Sequence, residues 1–228
     1  MPALPFPATQ KADQLIITKD SLIGKKGNIV FDALGGNDYI SIRADGIKLG
    51  EDDTLTITGG AGNDTIDFYY LSEKPNDFID LLGGDGNDTI YAQSYDVLLG
   101  NSGDYMGGLF VFGGPGNDYL QVFSKFSTYL NGDEGNDTLV SGEGRELMVG
   151  GTGKDRFVFQ NQSAAKYSDL PDNIFDFESG ADKIVLSGFD ANTKKAGTQK
   201  FTFVSEFTGA GGEVKVALAY ANQPNIGI

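Results

Sequence analysis

The sequence predicts an all-β fold wound as a parallel solenoid, and three observations carry that prediction. A glycine-rich segment of six residues recurs along the chain. Apolar residues flank every copy at the same offsets. The copies stand about one coil apart.

Recurrence comes first, because a missed repeat miscasts the whole fold. Four copies are complete: Gly59-Gly60-Ala61-Gly62-Asn63-Asp64, Gly83-Gly84-Asp85-Gly86-Asn87-Asp88, Gly113-Gly114-Pro115-Gly116-Asn117-Asp118 and Gly150-Gly151-Thr152-Gly153-Lys154-Asp155. Gly132-Asp133-Glu134-Gly135-Asn136-Asp137 lacks the second glycine, and Ala33-Leu34-Gly35-Gly36-Asn37-Asp38 is a degenerate first copy. Two residues after each final Asp stand Ile40, Ile66, Ile90, Leu120, Leu139 and Phe157. Two residues before each first position stand Phe31, Ile57, Leu81, Val111, Leu130 and Met148. Apolar residues at a spacing of two on both sides of a glycine turn read as strand–turn–strand with one face buried.

Successive Asp residues are 26, 24, 30, 19 and 18 apart. Two short strands and two turns need about 18 residues at ordinary strand lengths, so each interval is one coil. Tyr119–Phe123 then reads as an outgoing strand, Ser124–Phe126 as the far corner and Ser127–Asn131 as the return. The longer intervals place their extra residues at that corner, as Ser72–Asn76 and Tyr95–Gly108, a change solenoids tolerate. Within the second, Gly100–Asp104 reads as a decayed turn. The glycine turns recur once per coil, so they line one edge only. The chain divides into an N-terminal tail or cap at 1–20, the solenoid at 21–160 and a C-terminal region at 161–228.

Composition narrows the function. The chain carries 32 acidic and 17 basic residues, a formal charge of −15, whereas nucleic-acid binding needs clustered positive charge. Sixteen Phe and ten Tyr supply a core that disordered acidic chains lack. There is no cysteine to form a disulfide staple. There is no histidine, which removes the commonest general base and the commonest zinc ligand. No stretch approaches the ~20 apolar residues of a membrane span, and Met1–Gln14, with three prolines, is not a signal peptide of the general secretory route.

The turn itself points to calcium. Glycines expose backbone carbonyls with no side chain in the way, the final Asp adds a carboxylate, and calcium takes six to eight such oxygens. Coils stack about 4.8 Å apart, so an ion fits between consecutive turns. Six turns leave at most five gaps, and about three to five ions are expected. The turn residues that offer such oxygens are Gly36 and Asp38; Gly59, Gly60, Gly62 and Asp64; Gly83, Gly84, Gly86 and Asp88; Gly113, Gly114, Gly116 and Asp118; Gly132, Gly135 and Asp137; and Gly150, Gly151, Gly153 and Asp155. Carboxylates stacked without an ion would repel by roughly 3 kcal/mol per neighbouring pair at an effective dielectric of 20.

These turns resemble the G-G-x-G-x-D-x-U-x repeat of RTX proteins. The resemblance implies a right-handed parallel β-roll, a β-helix-like solenoid whose calcium-binding turns lie on one edge, with the Asp carboxylates and glycine-turn carbonyls of both neighbouring turns as the ligands of each ion. Further on, Asp172-Asn173-Ile174-Phe175-Asp176-Phe177 and Ala181-Asp182-Lys183-Ile184-Val185-Leu186-Ser187 resemble the C-terminal domain of serralysin-type metalloproteases. Ala196–Val204 and Phe207–Glu213 continue the likeness. The alternation of Ile174 with Asp176, and of Ile184 with Leu186, predicts two strands of a C-terminal β cap. The family's zinc motif H-E-x-x-H is absent, as is any His, and the family's last strands are not evident after Glu213. The resemblance implies a non-catalytic, calcium-binding module that is secreted through a type I apparatus, folds outside the cell and is monomeric.

Two other functions stay open on the residues. RTX modules of alginate-modifying enzymes are similar in the roll, which makes a glycan-binding or adhesin module the second reading. Tyr69, Tyr70, Tyr91 and Tyr95 are its candidate sugar platforms. Catalysis by carboxylate pairs is disfavoured, because Glu51-Asp52-Asp53 and Asp133-Glu134 read as solvated corners or calcium ligands.

Overall fold

A computed structural model describes residues 8–22, 27–47, 53–72, 78–96, 108–124, 127–160, 172–187, 202–204, 213–215 and 226–227. It consists of two eight-stranded sheets, with strands numbered in chain order. The odd sheet holds β1 (Gln14–Thr18), β3 (Tyr39–Ile47), β5 (Thr65–Ser72), β7 (Thr89–Asp96), β9 (Tyr119–Ser124), β11 (Thr138–Val140), β13 (Arg156–Gln160) and β15 (Lys183–Ser187). The even sheet holds β2 (Asn28–Asp32), β4 (Thr54–Ala61), β6 (Phe78–Asp85), β8 (Gly108–Pro115), β10 (Thr128–Glu134), β12 (Glu146–Val149), β14 (Asn173–Ile174) and β18 (Ile226–Gly227). Every pairing is parallel except β14 with β18. The chain alternates between the sheets, so each coil places one strand in each. This is the parallel β-roll that the sequence predicts.

Register follows the hydrophobic pattern. Ile40, Ile66, Ile90, Leu120, Leu139, Phe157 and Ile184 pair in succession along the odd sheet. Phe31, Ile57, Leu81, Val111, Leu130, Met148 and Ile174 do the same along the even sheet. All of these are buried except Ile184 at the end, which is half-buried. A slip of one residue would turn a whole strand's apolar set to solvent, so the flanking pattern fixes where each turn sits.

The structure adds detail. β4, β6, β8 and β10 run through the first three positions of their turns, to Ala61, Asp85, Pro115 and Glu134, whereas β2 and β12 stop before theirs. β14 and β15 are the two expected strands at the end of the roll: they pair in parallel on β12 and β13 as one more coil, and Asp176, expected in the first of them, lies in the turn between them. β18 then closes the even sheet in the antiparallel sense, and β16 (Thr202–Val204) and β17 (Glu213–Lys215) form a two-stranded sheet that pairs with neither of the others. Most of the far-corner insertions, including Gly100–Asp104, lie outside the described residues. Among those described, the four-residue α1 (Lys19–Leu22) is the sole α-helix.

Candidate metal centre: the stacked glycine-aspartate edge

The six glycine turns all fall on the edge where the even strands hand over to the odd ones. Their side chains form two ladders that run in opposite directions. Asp64 Oδ1 accepts the Asp38 N–H at 2.6 Å, and Asp88, Asp118, Asp137 and Asp155 each accept the N–H of the preceding Asp at 2.7–2.9 Å. The Asn ladder points the other way. Asn37, Asn63, Asn87, Asn117 and Asn136 each present Oδ1 to the N–H of the following coil, at 2.7–3.0 Å. The recurring Asn-Asp pair thus clamps each coil to both of its neighbours.

Hydrogen bonding accounts for one Asp oxygen and leaves the other. Asp38, Asp64, Asp88, Asp118, Asp137 and Asp155 are each at most 3% exposed, and in every one Oδ2 is buried without a hydrogen-bond partner. A buried anionic oxygen with no partner is costly. Burial is the main cause that raises all six carboxyls: Asp88 and Asp137 to about 6, Asp118 to about 7. The backbone N–H on Oδ1 pulls the other way, and the neighbouring carboxylates add to the rise.

The first glycine of each turn supplies the room and the next coil supplies further oxygen. A Cβ built on Gly59 would meet Asp64 Oδ2 at 2.5 Å and the Gly83 carbonyl oxygen at 2.6 Å. The same convergence recurs at Gly83 with Asp88 and the Gly113 carbonyl, at Gly113 with Asp118 and the Gly132 carbonyl, and at Gly132 with Asp137 and the Gly150 carbonyl. Four gaps therefore set a carboxylate oxygen against the next coil's glycine carbonyl. The first coil has Ala33 where the others have that glycine, so a methyl group fills the space. Among the described residues no three acidic side chains close on one point. An ion held here must take backbone carbonyls for much of its shell, and an all-oxygen shell of that kind fits a hard divalent cation.

The third glycines also have a packing role. A Cβ at Gly62, Gly86, Gly116, Gly135 or Gly153 would run into the carbonyl of the equivalent glycine one coil earlier. Asp133 takes the second position of its turn at φ 73°, with Asn131 Nδ2 donating to its Oδ1.

The ladder extends one rung beyond the expected turns at each end. Asp13 donates its N–H to Asp38 Oδ1 at 2.6 Å, and Asp182 Oδ1 accepts the Asp155 N–H at 2.9 Å. Both have an apolar residue two positions on, Leu15 and Ile184. That spacing is the signal that could have found them without any glycine. Asp176 caps the Gly150 and Gly151 N–H groups with its two oxygens. Asp53, expected at a solvated corner or as a calcium ligand, is 8% exposed and its Oδ1 accepts the Gly27 N–H.

A roll of two parallel sheets with a ladder of buried carboxylates on one edge defines the class of protein. Residues 22–227 match the family described as Peptidase M10 serralysin C terminal, and the chain belongs to that family. It is 36% identical over 201 residues to the metallopeptidase AprA of Pseudomonas marginalis, a match that covers 86% of this chain. The chain spans 37% of that relative's length.

Proposed function

We propose that this chain is the non-catalytic, calcium-binding module of a secreted protein and that it folds on meeting calcium outside the cell. The observation that carries the reading is the row of buried Asp Oδ2 atoms, each without a partner and four of them set against a glycine carbonyl of the next coil. A divalent cation in each gap would neutralise the carboxylates and complete their contacts. The likeness to the C-terminal part of a metallopeptidase supports secretion, and a type I apparatus is the route by which the proposed module leaves the cell unfolded. Calcium then stands in for the absent disulfides. At ten times its Kd, each bound ion adds about 1.4 kcal/mol, so four ions give roughly 6 kcal/mol, as much as many whole domains have. Circular dichroism decides the point. The chain is expected to lose its β-rich spectrum in excess EDTA and to regain it in millimolar calcium. An EDTA spectrum identical to the calcium one would overturn the proposal.

One observation favours a second reading, a glycan-binding module. The outer face of the odd sheet presents Tyr39 and Tyr91, 39% and 37% exposed, with Tyr119 tilted against Tyr91 at 5.9 Å and Arg43 over the Tyr69 ring. Tyr70 cannot take part, since it is 1% exposed and stacks on Phe68 in the core. The side chain of Tyr95 lies outside the described residues. Binding on a glycan array in calcium, lost in Tyr91→Ala, is the result this reading requires.

A further inference from the structure

The last coils of the odd sheet carry positive charge that the calcium reading does not use. Lys154, Arg156 and Lys183 line an open cavity of about 250 Å³ together with Asp155, Gly180 and Ala181. Arg156 and Lys183 are partners in the register of β13 with β15, so their side chains leave the same face one strand apart. All three cations are exposed. Among the described residues none of them is in an ion pair, whereas Arg43 on the same sheet is paired with Asp67 at 2.7 Å. In a chain of 32 acidic and 17 basic residues, a cleft that gathers cations and leaves them unpaired runs against the composition.

The nearest carboxylates are committed elsewhere. Asp155 is 1% exposed, and its Oδ1 accepts the Asp137 N–H. Asp182 accepts the Asp155 N–H on Oδ1 and the Glu178 N–H on Oδ2. A Cβ on Gly180 would meet nothing within 4 Å, so the cleft is open on that side. A guanidinium with ammonium groups beside it holds the oxygens of a carboxylate or sulfate through charge-assisted hydrogen bonds.

Register joins this cleft to the exposed tyrosines. Tyr119, Thr138, Arg156 and Lys183 pair in succession along the outer face of the odd sheet. At about 4.8 Å per strand, Arg156 stands about 10 Å from Tyr119, the span of a disaccharide. Tyr119 is half-buried and tilted against the exposed Tyr91. One row thus offers flat apolar surface at one end and cations at the other. Aromatic rings with a polar edge suit the apolar face and hydroxyls of a sugar, and Asp67, the carboxylate beside Tyr91 in the register, is already balanced by Arg43.

We propose that this row binds an acidic glycan, with a sugar ring on the Tyr91–Tyr119 platform and a uronate or sulfate group of the same glycan in the cleft of Lys154, Arg156 and Lys183. The proposal rests on the glycan reading for the platform and adds the charge of the ligand.

An array of uronate-bearing, sulfated and neutral oligosaccharides, read with the calcium-loaded full chain, tests it. Acidic glycans are expected to bind about tenfold or more tighter than neutral ones, since a charge-assisted hydrogen bond is worth that much. Arg156→Gln with Lys183→Gln is expected to erase the preference and leave neutral binding unaltered, and about 1 M sodium chloride is expected to do the same. Tyr119→Ala is expected to weaken acidic and neutral binding alike, and Tyr91→Ala takes its place should that variant lose its circular dichroism spectrum in calcium. Equal binding of both glycan classes, or a preference that survives the double substitution, overturns the proposal and leaves the glycan reading standing. Acidic binding untouched by the tyrosine substitutions overturns it too, and makes the cleft a plain anion site. Failure of the glycan reading looks different, because no glycan of either class would then bind.

Discussion

At Asp118 a single side chain serves two coils. Its Oδ1 receives the Asp88 N–H at 2.7 Å, and its Oδ2 lies beside Gly113, where the Gly132 carbonyl also points. Asp118→Ala is therefore expected to remove two ions in a calorimetric titration, one from each flanking gap, and loss of one alone would refute the stacked arrangement. It also strands the buried Asp88 N–H, worth about 1–3 kcal/mol. The raised carboxyls give a pH dependence with a definite sign. In the folded, ion-free chain Asp88 and Asp137 titrate at about 6 and Asp118 at about 7, above their ordinary value of 3.8. Between those limits the folded state binds more protons than the unfolded one, so ion-free stability falls as pH rises from about 4 to 7. Calcium competes with the same protons, so its affinity rises across that window and binding releases protons. Titrations at pH 5.5 and 7.5 in two buffers of different ionisation heat measure both effects. Equal affinity at the two pH values would mean that these carboxyls are not ligands.

At the scale of strand and turn, the glycines divide into those that make space and those that only bend. Gly86 has φ +131°, and a Cβ there would collide with the Gly62 carbonyl one coil away. Gly27 has φ +75° with nothing within 4 Å of its added Cβ. Gly86→Ala is expected to cost about 3 kcal/mol or more, since strain and backbone overlap add, against about 1 kcal/mol for Gly27→Ala from the left-handed conformation alone. Thermal melts in saturating calcium compare the two, and equal losses would show that the coils part easily at the turn. The same division explains what could be read in advance. Asp64, Asp88 and Asp118 were legible because a glycine pattern announces them and an apolar residue two positions on confirms the register. Asp13 and Asp182 were not, since their turns lack that pattern and the apolar residue two positions on, Leu15 or Ile184, is too common a signal to mark a rung by itself.

Across the whole molecule, the ladders make the roll a one-dimensional chain of coupled units. Each coil touches its two neighbours through the sheets, the Asp ladder and the Asn ladder, and among the described residues neither ladder skips a coil. In such an array the stability is a sum of coil terms and neighbour terms, and an ion in one gap orders the coils that form the next. Calcium-driven folding, followed by far-ultraviolet circular dichroism, is therefore expected to be steep, with a Hill coefficient above about 2. Position along the array then matters more than chemistry. Asp118→Ala interrupts the coupling in the middle and leaves two shorter blocks, whereas Asp38→Ala trims a first coil whose Ala33 already fills the space that glycine opens elsewhere. The central variant is expected to flatten the titration and the terminal one to leave its slope nearly unchanged while shifting the midpoint less than about threefold. Equal flattening by both would mean that the ions bind as independent sites and that the ladders carry no coupling between coils.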